Sequence, residues 1–461
     1  MSAPRLVWLR RDLRLADQAA LAAAARAGPV LPVYILDDGA PGPRAMGGAA
    51  RWWLHHSLQA LDAALRALGS QLILRRGHTE ERLAQIAEES GTAEVHCLRH
   101  YEPWWQEAER AVAQRLRLVR HDGNYLAPPG AVRSGNGTPY KIYTPFWRAL
   151  RQQMPPPVPA EAPSMLAAPA RWPTSERIVE WGLTPHQPDW AAGFGEIWTP
   201  GEAGAKERLA VFATRASDYG ARRDLPSEEA TARLSPHLHF GEISPATIWH
   251  ALADAGGSVE TFLSELAWRD YAQNVIAEYP DYAERNARTG FDAMRWRMGG
   301  DADADLRAWQ QGRTGYPIVD AGMRQLWASG WMHNRVRMIA ASFLIKHLLI
   351  DWRRGERWFW DTLIDADYAN NAVNWQWVAG TGIDSNMFSR IMAPLGQSVK
   401  FDAADYIRRW VPELAHLDDD AVHDPEEAGR RPADYTPKII GHPEARARAL
   451  AAHATMRDPR S

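Results

Sequence analysis

Cysteine is almost absent from this sequence. The 461 residues include a single cysteine, Cys97, so no disulfide can form within the chain, and an iron–sulfur cluster held by four thiolates is excluded. Such cysteine usage is typical of proteins in a reducing compartment. We therefore expect a cytoplasmic protein.

Long apolar runs and an excess of one charge sign are missing as well. The longest apolar run, MIAASFLIKHLLI, is broken by Lys346 and His347, and we expect neither an export signal nor a membrane span. The formal net charge of −3 gives no global attraction to nucleic acid. Residues 331–360 nevertheless carry six Lys or Arg against two Asp or Glu. This stretch indicates either a local polyanion-binding face or a solvated helix surface.

Glycine-rich phosphate loops are lacking too, since no G-x-G-x-x-G follows the first predicted strand and no G-x-x-x-x-G-K-[ST] occurs. Residues 5–122 alternate β-branched runs with amphipathic stretches, which predicts a doubly wound parallel five-stranded sheet in an N-terminal α/β domain, 1–130. Residues 131–202 are predicted to be a linker, because residues 151–200 hold ten of the 32 prolines. Pro-start and Gly-stop patterns then predict an all-helical domain over 203–461.

Tryptophan, in contrast, is abundant, with 22 residues, ten of them between 268 and 377. In DADYANNAVNWQW, a helix from about Tyr368 would place Asp367, Asn371 and Trp375 on one stripe. Polar groups beside a buried indole are costly unless they are hydrogen-bonded. A planar heteroaromatic ligand with donors and acceptors on its rim would satisfy them, and packing against polar backbone is the alternative.

Two further stretches repeat this mixture of acid, indole, amide and thioether on one helical face. The residues are Glu265, Trp268 and Arg269 in FLSELAWRDY, and Asn334, Arg337 and Met338 in WMHNRVRMIA. An apolar pocket with a few placed polar groups is the general form of a small-ligand or flipped-base site.

A metal site is not expected. His237 and His239 lie two apart in SPHLHFG, but no Cys or carboxylate cluster accompanies them. We interpret them as structural histidines.

Several long motifs, in one order, resemble the photolyase/cryptochrome family. They are YGARRDLPSEEATARLSPHLHFGEIS, ELAWRDY, TGYPIVDAGMRQLWASGWMHNRVRMIAASFLIKHLLIDWRRGE and DADYANNAVNWQW, with VWLRRDLRL at the N-terminus. The resemblance covers nearly the whole chain and is strongest to bacterial cyclobutane pyrimidine dimer photolyases. It implies a helical domain that binds FAD, active in its reduced form, and light-driven repair of UV-damaged DNA by electron transfer to a flipped-out dimer. A monomer is expected.

The resemblance also assigns residues to FAD. Positions matching the family are Tyr219, Thr231, Ala232, Arg233, Leu234 and Ser235 near the phosphates, and Trp268, Arg269, Asn334, Arg337, Asp365, Asp367 and Asn371 around the rings and ribose. Asn371 matches the position that faces flavin N5, and Arg337 would pair with Asp365, which limits the cost of buried charge. An electron relay that reduces the flavin matches Trp375, Trp352 and Trp296.

For the substrate, the resemblance implies that Glu265 and Asn334 hydrogen-bond the dimer beside Met338, while Trp268 and Trp377 wall it. Arg335, Arg390 and Lys400 match positions that contact DNA phosphates without reading sequence.

Three other functions are kept as alternatives. Relatives that repair (6-4) photoproducts carry His at the positions of Asn334 and Met338. A cryptochrome-like photoreceptor would use the same flavin for signalling, and a dark flavin-dependent electron-transfer protein would need a nicotinamide or partner site that the sequence does not show.

The chain departs from the family pattern in three places. Ala232 lacks a hydroxyl that many relatives have in the phosphate loop. The segment DSNMFSRIMAPLGQSVKFD differs from the FFRIFNP form of bacterial relatives, which leaves the subclass open. Trp104 and Trp105 stand where one folate-binding mode needs Asn-Glu, so an antenna chromophore in the N-terminal domain could be a deazaflavin, a differently held folate or absent. Trp52, Trp53, Trp104 and Trp105 could line a pocket or pack in a core.

Overall fold

A computed structural model describes residues 3–253, 259–385 and 388–457. It contains a five-stranded, all-parallel sheet. The strands are β1 (Arg5–Leu9), β2 (Val30–Leu36), β3 (Ile73–Arg76), β4 (Glu94–Leu98) and β5 (Arg117–His121). Their order is β3-β2-β1-β4-β5. The predicted doubly wound sheet is confirmed.

The centre of the sheet is apolar along its whole length. Every residue of β2 is buried, and β1 pairs with it from Arg5 opposite Val30 to Leu9 opposite Tyr34. Continuous apolar runs are typical of parallel strands covered on both faces. The strand order reverses between β1 and β4, the point where ligands of doubly wound sheets commonly bind.

Twenty α-helices accompany the sheet in the described part of the chain. They are α1 (Ala19–Ala27), α2 (Gly48–Ala67), α3 (Thr79–Ser90), α4 (Pro103–Arg115), α5 (Tyr143–Arg151), α6 (Phe194–Ile197), α7 (Glu202–Ala213), α8 (Tyr219–Arg222), α9 (Ser235–His239), α10 (Pro245–Ala253), α11 (Glu260–Glu278), α12 (Gly300–Gln310), α13 (Pro317–Ser329), α14 (Asn334–Ser342), α15 (Trp352–Thr362), α16 (Tyr368–Ala379), α17 (Pro394–Lys400), α18 (Ala404–Trp410), α19 (Asp419–Val422) and α20 (His442–Arg457).

Helix ends follow the sequence signals. Helix α10 begins at Pro245, and the Ser244 hydroxyl accepts from the Thr247 N–H as an N-cap. Helix α13 begins at Pro317 and ends before Gly330, whose φ of 65° suits glycine. No strand follows β5 in the described residues, which agrees with the predicted helical second domain.

The predicted linker holds more structure than its prolines suggest. Helix α5 lies within 131–202, because Phe146 and Leu150, four residues apart, form a buried face. A 3₁₀ turn at Ile178–Trp181 and helix α6 follow.

Two compact units divide the described residues. The first lies within Met1–Ser217 and Ala232–Pro280, and the second within Asp218–Thr231 and Asp281–Ser461. The boundaries proposed from sequence, 1–130, 131–202 and 203–461, stay a prediction. The second unit is helical and includes a π-helical turn, Phe343–His347, in which Lys346 and His347 are buried. No described helix combines the length and the apolar character that crossing a bilayer requires.

Candidate functional site

The first unit holds Glu265 and Trp268 on α11, one turn apart as predicted. The indole of Trp268 contacts Tyr143 at 4.6 Å and Tyr271 at 5.2 Å between ring centroids. Its Nε1 is buried and makes no hydrogen bond within the described residues. Trp8, Trp105, Trp358 and Trp410 have buried Nε1 atoms in the same state, so this feature alone does not mark a ligand site.

The side chain of Arg269, on the same helix, hydrogen-bonds to two backbone carbonyls. Its Nη1 donates to the carbonyl of Asn124 at 2.5 Å and its Nη2 to that of Leu238 at 3.3 Å. The guanidinium also lies 4.7 Å from the ring centroid of Tyr125. Two of its nitrogens thus fasten α11 to neighbouring segments, and its assignment to FAD stays a prediction.

The predicted phosphate loop leads into a helix, as the sequence indicated. Arg233 has a left-handed backbone with φ of 52°, which a non-glycine residue adopts only when its surroundings hold it there. Helix α9 then begins at Ser235. Ala232 and Leu234 are buried, whereas Thr231 and Tyr219 belong to the second unit, where burial raises the pKa of the Tyr219 phenol.

The two histidines next to this loop are buried. His237 Nδ1 lies 2.5 Å from Glu242 Oε2, and Glu242 also accepts from Trp53 Nε1 at 2.9 Å. Glu242 therefore links α9 to α2. In the described segments no group of three or more His, Cys, Asp or Glu side chains could hold a metal ion.

In the second unit, Arg337 and Asp365 form the predicted pair. Arg337 Nη1 and Nη2 lie 3.1 and 2.9 Å from the two carboxylate oxygens, and Arg337 Nε donates to the carbonyl of Met332 at 2.7 Å. A bidentate pair with a third bond holds the guanidinium plane in one orientation.

Helix α16 carries the predicted stripe of Asp367, Asn371 and Trp375. Asp367 caps it, with Oδ1 accepting from the Asn370 backbone at 2.8 Å. Asn371 Nδ2 donates to the carbonyl of Glu356 at 3.0 Å and to its Oε1 at 2.8 Å. Both printed bonds use the amide nitrogen of Asn371, so Glu356 fixes the orientation of the amide group.

Helix α14 carries the residues assigned to the lesion. Asn334 begins the helix and is exposed, and Met338 lies one turn later. His333 caps the helix by accepting from the Arg335 N–H at 3.3 Å. Burial lowers the pKa of His333 to about 4, so this cap is neutral at neutral pH.

Of the three side chains predicted to contact DNA, Arg335 is the most constrained. Its Nη2 lies 2.5 Å from Asp224 Oδ2, and its guanidinium lies 4.5 Å from the Phe401 ring centroid. Lys400 Nζ is 5.2 Å from the same ring. Arg390 is held through its carbonyl, which accepts from Lys346 Nζ at 2.8 Å.

The predicted relay tryptophans occupy different environments. Trp375 is buried against Phe359 at 5.0 Å and Trp309 at 6.4 Å between centroids. Trp352 is fully buried, and its Nε1 donates to Asn286 Oδ1 at 2.9 Å. Trp296 is half-buried, as expected of a position nearer the surface, and Trp377 is half-buried on α16.

Sequence reasoning missed Glu356, Asp224 and Asn286. A signal for Glu356 was present, since this acid lies four residues after Trp352 and before Trp360, on the apolar face of α15. Asp224 and Asn286 lie outside long helices and left no periodic signal.

Two cavities of the first unit bear on the tryptophans considered for an antenna site. One, of about 40 Å³, is lined by Arg10, Trp104 and Trp105 at the carboxyl ends of the strands. The other, of about 660 Å³, is lined by Trp52, His56 and Trp198. Trp53 is fully buried and packs in the core.

The polar groups of each unit suit the cofactor expected from the sequence. The first unit offers a buried indole N–H at Trp268, and the second offers an oriented amide at Asn371 and the Arg337–Asp365 pair. Rigid donors and acceptors in apolar surroundings fit a flavin ring system, whose rim carries both kinds of group.

Comparison with known proteins gives matches over most of the chain. A family model described as "DNA photolyase" matches residues 5–164, and one described as "FAD binding domain of DNA photolyase" matches residues 262–455. The deoxyribodipyrimidine photo-lyase of Agrobacterium fabrum is 47% identical over 478 residues, covering 99% of this chain and 98% of that protein. Cryptochrome-1 of Arabidopsis thaliana is 33% identical over 483 residues, covering 98% of this chain and 70% of that protein. The crystal structure of a bacterial class III photolyase from Agrobacterium tumefaciens has a TM-score of 0.94 at 47% identity, covering 99% and 98% of the two chains.

Proposed function

The chain belongs to the photolyase/cryptochrome family, and from that premise we propose that it is a deoxyribodipyrimidine photo-lyase that repairs cyclobutane pyrimidine dimers in DNA. Reduced FAD, when bound, would supply the light-driven transfer of an electron to the dimer and its return after the ring opens. No net redox change occurs. The solved class III photolyase at 47% identity supports the same subclass for this chain.

The chain's own residues hold and orient the cofactor in this proposal. Arg337, fixed by Asp365, and Asn371, fixed by Glu356, present a cation and a neutral amide oxygen in set directions. Asp367 and Asn334 complete the assignments in the second unit. In the first unit, the residues assigned to the cofactor are Trp268, Arg269 and the loop residues Ala232, Arg233, Leu234 and Ser235. Tyr219 and Thr231 are assigned to the phosphates.

The substrate choice depends on one observation: Asn334 and Met338 lie one turn apart on α14, and neither is histidine. An amide can donate to a dimer carbonyl without a proton transfer, whereas a (6-4) lesion needs the histidines that relatives use. We assign Glu265 to a second hydrogen bond with the dimer, and the indoles of Trp268 and Trp377 to its walls. A dimer is already poorly stacked, so extruding it costs less than extruding a normal base.

DNA binding is assigned to Arg335, Arg390 and Lys400. Contacts with phosphates position the duplex without reading its sequence, and they weaken as salt rises. Reduction of the cofactor is assigned to Trp375, Trp352 and Trp296, whose indoles would carry electrons inward.

A second candidate function is a cryptochrome-like photoreceptor. The 33% identity with a plant cryptochrome favours it. The amide and thioether at Asn334 and Met338, together with Glu265, form a set that suits the lyase better, since signalling requires no dimer-binding side chains.

We assign an antenna chromophore to the N-terminal domain, where Trp104 and Trp105 line one cavity and Trp52 lines another. The chemical identity of that chromophore stays open. We further infer a cytoplasmic protein, supported by the single buried Cys97, and a monomer.

The test is repair of an oligonucleotide that bears one thymine cyclobutane dimer by the photoreduced protein, in blue light and in darkness, with a (6-4) lesion as the parallel substrate. Light-dependent reversal of the dimer alone is expected. Reversal of neither lesion, while the bound flavin still photoreduces, would favour the photoreceptor.

A further inference from the structure

An acidic side chain holds the arginine assigned to DNA. Asp224 Oδ2 accepts from Arg335 Nη2 at 2.5 Å, and its Oδ1 lies 3.4 Å from Arg223 Nε. Asp224 is about one-third exposed and Arg335 one-fifth, with side-chain exposures of 33% and 20%. A carboxylate on a surface that meets DNA is unfavourable for electrostatic attraction, and its presence there requires a reason.

The other contacts of Arg335 supply that reason. One face of the guanidinium lies over Phe401, with 4.5 Å from Cζ to the ring centroid. Among the described residues its buried Nε has no hydrogen-bond partner, and its Nη1 lies 3.8 Å from a weak acceptor, the Met338 thioether. Asp224 and Phe401 thus fix the plane of the guanidinium, while Nη1 lies against a weak acceptor.

We propose that Asp224 is a positioning residue for DNA binding, which together with Phe401 preorganises Arg335 so that Nη1 donates to a phosphate next to the lesion. This inference rests on the proposed function and adds a residue to it. Arginine loses several rotatable bonds on binding, and a side chain already held in its bound orientation does not incur that cost again. The Nη1–Met338 contact also couples the phosphate position to the residue assigned to the lesion.

Two interpretations of Asp224 predict opposite changes in DNA affinity when the carboxylate is removed. If the carboxylate only competes with phosphate for Arg335, its removal tightens DNA binding, as removal of any negative charge near DNA does. If it positions Arg335, its removal weakens binding although the surface becomes more positive. The sign of one measurement therefore separates them.

The experiment measures binding of a duplex with one thymine dimer to the FAD-loaded protein in darkness, over a range of salt concentrations. For Asp224→Ala we expect affinity to fall by about three- to tenfold, with Asp224→Asn intermediate because its amide oxygen still accepts. Phe401→Leu changes no charge and is expected to weaken binding as well. In an Arg335→Ala background, Asp224→Ala is expected not to weaken binding further, and the loss of its negative charge should tighten it slightly.

Controls keep the outcome readable. Glu413 pairs with Arg324 at 2.7 Å in the same unit, with both side chains 23% exposed, so Glu413→Gln removes a matched charge and should leave affinity unchanged or slightly higher. The flavin absorbance of each variant reports folding. If Asp224→Ala binds as tightly as wild type or tighter, the positioning role is wrong. If Arg335→Ala itself changes neither affinity nor the salt slope, the DNA assignment of Arg335 fails, and the positioning role fails with it, while light-driven repair by the wild type still stands or falls on its own test.

Discussion

Asn371 donates its amide hydrogens to Glu356 twice, once to the backbone carbonyl at 3.0 Å and once to the carboxylate at 2.8 Å. Glu356 is fully buried and Asn371 is 9% exposed. Because a carboxylate accepts and an amide nitrogen donates, this pair decides which end of the Asn371 amide faces away from α15. The amide oxygen thereby points away from Glu356, and its contact with the flavin stays a prediction.

We expect Asn371→Asp to be strongly destabilising. The change places two carboxylates in a buried contact and removes the donor that satisfies Glu356, at a cost of about 2–4 kcal/mol. Urea unfolding should show this loss, and the variant should retain less reduced flavin in blue light. Asn374 is exposed on the same helix, and Asn374→Asp is the control. Equal stability of both variants would contradict the role of Glu356.

Gly355 allows Trp375 to pack against α15. A Cβ at this position would lie 2.2 Å from Trp375 Cη2 and 2.4 Å from Leu344 Cδ2, so Gly355→Ala must displace a buried indole. Overpacking of this kind costs about 1–3 kcal/mol, and urea unfolding measures it. Gly300→Ala, where a Cβ meets nothing within 4 Å, should leave stability almost unchanged. A tolerated Gly355→Ala would show that Trp375 moves freely.

Lys346 predicts a rise in stability with alkaline pH. Burial lowers its pKa to about 7, whereas an unfolded lysine titrates near 10.4. Between these values the unfolded chain binds more protons than the folded one, so the free energy of unfolding rises with pH through this window. Relative to Lys346→Met, wild type should gain on the order of 1 kcal/mol or more between pH 6.5 and 9.5. Lys206→Met, at an exposed lysine, should leave the pH dependence as in wild type, and a parallel response of wild type and Lys346→Met would rule out the shift.

The sequence predicted local elements better than their partners. The five strands and the start of α16 could be predicted, since the signals for them, short β-branched runs between amphipathic stretches and an Asp before the helix, lie within a few residues of each element. The Arg337–Asp365 contact followed from family resemblance. The contacts that hold Asn371 and Arg335 could not be predicted, because their partners Glu356 and Asp224 lie 15 and 111 residues away along the chain. Helix α5 was hidden by the prolines around it.

Glu265 should matter for repair and little for the cofactor. Its assigned partner is the dimer, so Glu265→Ala is expected to lower the yield of repaired dimer per absorbed photon while the flavin content stays near that of wild type. Single-turnover repair under blue light measures the yield, and absorbance measures the flavin. Glu278 lies on the same helix as Glu265 and pairs with Arg133 at 3.5 Å. Glu278→Ala is therefore the control. An unchanged yield in Glu265→Ala would remove its role.

The tryptophan relay predicts a separation of two activities. Trp375 is buried beside the proposed flavin residue Asn371 on α16, and Trp375→Phe keeps an aromatic ring in place but removes the more easily oxidised indole. Light-driven reduction of the bound flavin should therefore nearly stop. If the flavin is first reduced chemically in darkness, repair under blue light should continue at the wild-type yield, because the electron that opens the dimer does not pass through this indole. Trp327 is half-exposed and stacks on Trp358, at 6.1 Å between centroids, and Trp327→Phe should leave both activities intact. Normal photoreduction in Trp375→Phe would show that electrons reach the flavin by another route, and loss of repair in the chemically reduced variant would show that the substitution has disturbed the cofactor site itself.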